Sequence, residues 1–421
     1  MKTPLFHRLQ NRKIQRRVRW LCFISVSAVW WFAAVNISIF FRFAGIFFCG
    51  ILFLESFKGM RIPVLTYHSI SDNPAWLNMP DLVISVKSFD KEMNWLKKNG
   101  YTTLSMDELY NMRKYKYHKK MVALTFDDGY LDAWVAAEPV LKKHGLKGTL
   151  FVSSACIDKS GEVRPRIDSL CPVQWAGYLN RKEICCLNKG GVLDIQSHGK
   201  THDRIFCSDV IKVLVKKNIF PLWLYILLNP QHKTTWYKSK MSIPDGYPVF
   251  EAGEALAVRK FYPAAEFIEY LTARGRIIDP KTAVRLYNET GKKTGTYETE
   301  KEALKRWREE LVESKAVLEE ITGDKISHMC WPRTSCNLQT KKLAMDAGYI
   351  SVTGGADHNC GKIPFEVSRV HIGGTGYPLF DLTRFVLEIW VFKGHYIFFP
   401  ILWAMQKIMF LLQKTRRIKP V

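Results

Sequence analysis

From residue 61 onward, short runs of apolar, β-forming residues alternate with longer stretches whose apolar positions recur every three or four residues. Ile62–Tyr67, Met121–Phe126, Gly148–Ser153, Val192–Gln196 and Tyr349–Thr353 read as strands. Ser88 is placed to cap a helix that runs to Lys98 and stops at Gly100, and Ser105-Met-Asp-Glu108 has capping-box spacing. A helix over 131–144 ends at Gly145. Glu298–Ile321 reads as a long charged helix with Leu304, Trp307, Leu311, Val317 and Leu318 at helical spacing, and another runs from Thr340 to Gly348. Strands separated by helices predict an α/β architecture around a largely parallel sheet, with a barrel as one way of closing it.

One stretch breaks this rhythm. From Phe206 to Thr296 the pattern is irregular and carries Pro221, Pro230, Pro244, Pro248, Pro263 and Pro280. It reads as an insertion over 207–296 between two parts of one domain, 61–206 and 297–380. Its apolar run Ile219–Leu228 is either the insertion's core or a lipid-facing surface, with core the favoured reading.

The two ends are different again. Trp20–Phe41 is a charge-free run of 22 residues, against about 20 needed to cross a bilayer as a helix. Seven Lys or Arg precede it, which favours a cytoplasmic N-terminus. Its length and the lack of an A-x-A site argue against a cleaved signal, so 1–60 reads as a basic anchor; a re-entrant hairpin is the rival. Within 381–421, the apolar run Tyr396–Leu412 holds Pro400 and Lys407 and is followed by four cations. An interfacial helix fits it better than a span, and a helix packed on the core is the alternative.

Charge supports this division. The chain of 421 residues has a net charge of +23, with +8 in residues 1–60 and +6 in residues 393–421. A nucleic-acid binder would concentrate that excess on its folded body, so a membrane partner is expected and nucleic acid is not. The ten cysteines contain no C-x-x-C pair, which gives no sign of a zinc ribbon. Their reading as free thiols argues mildly against an oxidising compartment.

The candidate chemistry lies at predicted strand ends, where α/β folds place their sites. Met121–Phe126 runs into Asp127-Asp128-Gly129. Adjacent carboxylates can divide labour, one binding a metal and the other taking a proton from water. By itself, D-D-G is more often a turn with an acidic helix cap. Val192–Gln196 runs into Ser197-His198-Gly-Lys-Thr-His202, two histidines that can converge on one ion. Asp128, His198 and His202 together would leave open positions for water and substrate, as a catalytic metal requires. His68 follows another strand and is a candidate general acid, although a satisfied core histidine is the commoner case.

These segments resemble the polysaccharide deacetylase family (NodB-homology domain, carbohydrate esterase family four). Thr125-Phe-Asp-Asp-Gly129 resembles its first motif, and Ser197–His202 its S-H-[ST]-x-x-H motif, with Gly199 at the Ser/Thr position. Cys330-Trp331-Pro332-Arg333 is similar to the groove-lining Y-P-x-G motif, with Arg333 and Thr334 as departures, and Arg369 lies on a segment like a later family strand. The resemblance covers 61–206 and 297–375. It implies a distorted (β/α) barrel of the NodB-homology type, a divalent metal (usually zinc), and hydrolysis of N-acetyl groups on amino sugars. It implies Asp127 as general base, Asp128, His198 and His202 as metal ligands, and Trp331, Pro332, Arg333 and Arg369 at the substrate. The segment Pro63–Ile70 resembles the strand that carries the family acid but comes first in the chain. That order resembles the circularly permuted branch and assigns the acid to His68, with His371 in reserve.

The expectation is thus a metal-dependent hydrolase, anchored in the bacterial inner membrane with its catalytic domain extracytoplasmic. It would deacetylate an amino-sugar polysaccharide or a lipid-linked glycan. A deformylase or other non-peptide amide hydrolase acting on a glycolipid is the alternative within this chemistry. A non-catalytic glycan-binding module is the alternative outside it.

Overall fold

The computed structural model describes residues 61–416 apart from 74–75, 78, 113–119, 275–278 and 355–365, together with the isolated positions 24, 45 and 50. The expected span Trp20–Phe41 lies outside the described residues. Among the described residues no helix is long and apolar enough to cross a membrane.

Among the described residues the centre is a nine-stranded parallel sheet. Eight strands follow one another across it: Glu366–Val367, Ser351–Thr353, His328–Met329, Leu193–Ser197, Gly148–Val152, Met121–Phe126, Val64–Tyr67 and Val370–His371, while Thr102–Leu104 pairs off Met121–Phe126. The two outermost strands are consecutive in the chain, joined only by Ser368 and Arg369. A linker that short spans at most about 10 Å, so the sheet must curl until its edges nearly meet. This is the parallel sheet the alternation predicts, curled as the family resemblance implies, with Arg369 at its seam. Helices cover the outside of the sheet, and the inner strands bury Val122, Leu124, Phe126, Leu150, Val152, Leu193 and Ile195 in the main core.

Three helix boundaries differ from expectation. The first helix is Val86–Lys98, capped by Ser85, whose hydroxyl accepts the Ser88 amide. Ser88 is instead buried and donates to Asp381 at 2.8 Å. The predicted 131–144 helix contains a wide turn at Ala133–Ala137 before the regular helix Glu138–His144. Pro139 has no N–H to close the normal bond, and the Val135 carbonyl accepts the Ile167 amide instead. The later helix is capped by Asn337 and spans Leu338–Asp346. The long helix is Glu300–Thr322, with a capping box from Thr299 to Glu302 and a left-handed Gly323 (φ 74°) at its end.

Residues 204–297 build separate sheets: Arg204–Leu214 with Pro248–Glu254, and Phe261–Pro263 with Gly295–Tyr297, both antiparallel. Their own core, which includes Phe206, Leu224, Tyr225, Trp236, Phe250 and Phe267, is continuous with Trp76, Tyr130 and Tyr178 of the barrel. Within the Ile219–Leu228 run, Leu224 and Tyr225 are buried, while Ile219 and Leu228 are exposed.

Candidate active site

Strand register sets the site. Tyr67 pairs with Phe126, so the residues that follow them, His68 and Asp127, leave the sheet side by side. Val152, Ser197 and Met329 are likewise neighbours, which brings His198 and Cys330 to the same carboxyl end. The structure therefore gathers His68, Asp127, Asp128, His198 and His202 from three strand ends.

Asp128 sits in the left-handed region at φ 73°, a conformation that costs energy for a residue with a side chain. Gly129 follows at φ 73°, and a Cβ there would lie 3.0 Å from Val152 Cγ1. This turn brings Asp128 Oδ1 to 3.1 Å from His198 Nε2 and 3.3 Å from His202 Nε2. The loop carrying the histidines is itself fastened. The Lys200 and Thr201 amides donate to Glu310 at 3.2 and 2.9 Å, the Thr201 hydroxyl donates to Glu310 at 2.7 Å, and Ser314 donates to the Gly199 carbonyl at 2.8 Å. His198 Nδ1 is 2.9 Å from the Cys330 carbonyl, an acceptor only, so Nδ1 carries a proton.

This donor set fits a cation. With Nδ1 protonated, the neutral tautomer of His198 presents a lone pair at Nε2, facing Asp128 Oδ1. That oxygen is buried and accepts no hydrogen bond. Burial pulls His202 down to about 4, more than the attraction of Asp128 offsets, so its ring is neutral near pH 7. Burial alone would lower His198, but the Cys330 thiol and the Asp128 and Asp127 carboxylates outweigh it and hold His198 well above its ordinary value. A bound cation would compete for the same electron pair. One carboxylate and two imidazoles, with ligand atoms within 4.8 Å of one another, suit zinc or a similar divalent ion. A second cluster, Asp127, His198 and Cys330, is equally compact, but its groups are already engaged. Asp127 is paired with Arg369, and His198 Nδ1 with a carbonyl.

Asp127 is buried and held by Arg369 through both oxygens, at 2.7 and 2.9 Å. Burial would raise its carboxyl, but the charges of Arg369 and His198 outweigh that and bring it down to about 2. It is ionised at any working pH. His68 Nε2 stands 4.0 Å from Asp127 Oδ2, on the same side of the cluster. His371, the reserve acid, lies next to His68 with ring centroids 5.1 Å apart, and its Nε2 is 3.0 Å from the Asp81 carbonyl.

The expected groove residues divide. Arg333 is half exposed at the mouth, 3.4 Å from the buried Glu254, and its backbone is left-handed at φ 49°. Trp331 and Pro332 are buried, with Trp331 fully enclosed. The Arg369 guanidinium is turned onto Asp127 at the barrel seam, where a buried carboxylate requires a charge partner.

Several residues that shape the site were not singled out in the sequence. Glu310 and Ser314 were legible as polar interruptions of a buried stripe, Trp307, Leu311 and Leu318. Glu254 carried no such signal, since its place depends on an antiparallel pairing with Arg204, fifty positions away.

Residues 114–219 match the family model described as Polysaccharide deacetylase. Over those residues the chain resembles polysaccharide deacetylases. It is 41% identical over 101 residues to a Bacillus subtilis (strain 168) protein named "Putative polysaccharide deacetylase YxkH", covering 24% of this chain and 34% of that protein. It is 27% identical over 121 residues to the poly-beta-1,6-N-acetyl-D-glucosamine N-deacetylase of Staphylococcus aureus (strain MSSA476), covering 28% of this chain and 37% of that protein. The matches thus span about a third of the length of these curated relatives. Among solved structures, a de-N-acetylase from Aggregatibacter actinomycetemcomitans superposes with a TM-score of 0.47 at 18% identity, over 74% of this chain and 94% of that one.

Proposed function

We propose that this chain is a metal-dependent hydrolase that removes N-acetyl groups from an amino-sugar polysaccharide or a lipid-linked glycan. The observation that carries this reading is the division of labour between adjacent residues. Asp128 faces two imidazoles, while Asp127 turns away to Arg369 and His68. The S. aureus relative's name makes a β-1,6-linked N-acetylglucosamine polymer the first substrate to test.

Asp128, His198 and His202 would hold a divalent ion, which would supply Lewis acidity for amide hydrolysis. Asp127 accepts the proton of the attacking water, and Arg369 keeps that carboxylate ionised and oriented. His68 donates to the leaving amine, which departs poorly unprotonated. Glu310 and the Cys330 carbonyl hold the two histidines in place. Trp20–Phe41 is the membrane anchor in this proposal, with the N-terminus cytoplasmic and the catalytic domain in the bacterial inner membrane's extracytoplasmic space.

The test is acetate release by the metal-loaded protein from N-acetylglucosamine oligomers, beside formate release from N-formyl analogues. Acetate released at many turnovers per chain supports deacetylation. Formate alone assigns a deformylase, and binding without either product assigns a glycan-binding module.

A further inference from the structure

The C-terminal helix Phe399–Arg416 is apolar on the wrong side for a packed helix. Leu402 is buried at 3% exposure, and Met405, Met409 and Leu412 are half-buried, a stripe repeating every three or four residues. That stripe faces the helix Pro378–Phe392, to which Gln406 donates through Glu388 at 3.0 Å. Phe399, Ile401, Trp403, Ile408, Phe410 and Leu411 lie outside it, each 46% exposed or more. Side chains of that size in a continuous outward arc form an exposed patch beyond what scattered surface apolar residues explain.

Charge decides between occupants. Residues 393–421 hold six Lys or Arg and no acid. Lys407 emerges within the apolar arc and lies 5.5 Å from the centre of the Trp403 ring. A long cation rising beside an apolar surface, with an aromatic of mixed character next to it, matches the boundary between acyl chains and headgroups. A second copy would set six cations against six. The chain's own apolar N-terminal run is no better matched, since residues 1–60 carry a net +8. An anionic surface is the complement to both.

We infer that the helix Phe399–Arg416 lies in the interface of a membrane containing anionic phospholipid. The same helix packs against the turn Pro80–Leu82. The Asp81 carbonyl in that turn is 3.0 Å from His371, which borders His68. The lipid-facing helix therefore sits on the His68 side of the barrel, which presents the catalytic mouth to glycan at the membrane surface. That last consequence rests on the proposed function; the lipid contact does not.

The experiment reconstitutes the full chain in phosphatidylcholine vesicles with or without phosphatidylglycerol, each doped with a phospholipid carrying a diazirine in its upper acyl chain. After illumination, adducts are mapped by peptide mass spectrometry. Adducts on Trp403, Phe410 and Leu411 are expected with phosphatidylglycerol, falling several-fold in phosphatidylcholine alone and in Lys407→Glu. Absence of adducts on 397–412 in the anionic vesicles overturns the inference. So does labelling equal in both compositions, or photocrosslinks from benzoylphenylalanine placed at position 403 that reach residues 20–54 or a second copy. The wild-type labelling decides the lipid contact by itself, so a variant that folds poorly does not rescue the claim. No activity is read, so a failed deacetylase assay leaves the result intact.

Discussion

Arg369 grips Asp127 through both carboxylate oxygens, at 2.7 and 2.9 Å, from the two-residue link that brings the sheet's outermost strands together. The closing of the barrel and the orientation of the proposed base are therefore one event. A planar fork fixes a carboxylate in a way that a point charge does not. Arg369→Lys keeps the charge and loses the fork. It should retain bound metal and near-normal KM while kcat falls by about 10²-fold, the scale of an ångström-level misplacement. Unchanged kcat would show that the pair is merely structural.

Asp127 and Asp128 should respond differently to the same substitution. Asp127→Asn keeps size and polarity but cannot take a proton, so it should keep metal and lose about 10² to 10⁴ in rate. Asp128→Asn removes the charged member of the cluster and should weaken metal binding itself. Excess zinc should partly restore Asp128→Asn and leave Asp127→Asn inactive. Metal content measured beside activity checks both, and zinc rescue of Asp127→Asn would reverse the roles.

Glu310 touches no part of the cluster, yet it holds the loop between its two histidines by three hydrogen bonds. Glu310→Ala should lower metal affinity by about 10- to 100-fold, the usual cost of removing an orienting partner. Competition against a chelator of known affinity reads this directly. An unchanged affinity with reduced thermal stability would make Glu310 a purely structural residue.

What the sequence revealed, and what it hid, follows from range. His68, Asp127 and His198 were legible because each lies at the end of a predicted strand, and parallel strands align their ends whatever the connections do. The turn at Ala133–Ala137 was hidden because its cause combines a local Pro139 with an acceptor taken by Ile167, thirty-two residues away from Val135. Arg369 is legible through its likeness to a later family strand, but its pairing is not, because only the curl of the sheet places it over Asp127. Ser88 was misread as a cap for the same reason, since its partner Asp381 is nearly three hundred residues away.

His68 and His371 are adjacent, so the acid must be assigned by chemistry rather than by proximity. His68 faces Asp127, while His371 is turned to a backbone carbonyl. His68→Ala should slow release of an unactivated sugar amine far more than hydrolysis of an acetate ester with a good leaving group, because only the former needs protonation. His371→Ala should slow both alike. The opposite pattern would move the acid to His371.

The buried Glu92 offers a prediction about stability. Its carboxyl accepts the Tyr67 hydroxyl at 2.7 Å, and its other oxygen is buried with no partner. Burial, helped by Asp381, outweighs the Tyr67 bond and the Arg384 charge and raises its pKa from 4.5 to about 8. The folded state therefore holds this proton when the unfolded chain has already released it. Its stabilising contribution is complete below the unfolded value near 4.5 and is lost as pH rises through about 8. Between those limits one retained proton lowers stability by about 1.4 kcal/mol per pH unit at most. Asp132 and Asp194, raised to about 7 and about 6 by burial, add slopes of the same sign and are left in place by a change at Glu92. Glu92→Gln removes only its own titration while keeping an oxygen for Tyr67. Thermal melts of the full chain in detergent from pH 5 to 8 should show a shallower fall of Tm in Glu92→Gln than in the parent. Equal slopes would mean that Glu92 ionises in the folded protein at its ordinary pH, with water reaching the oxygen that has no protein partner.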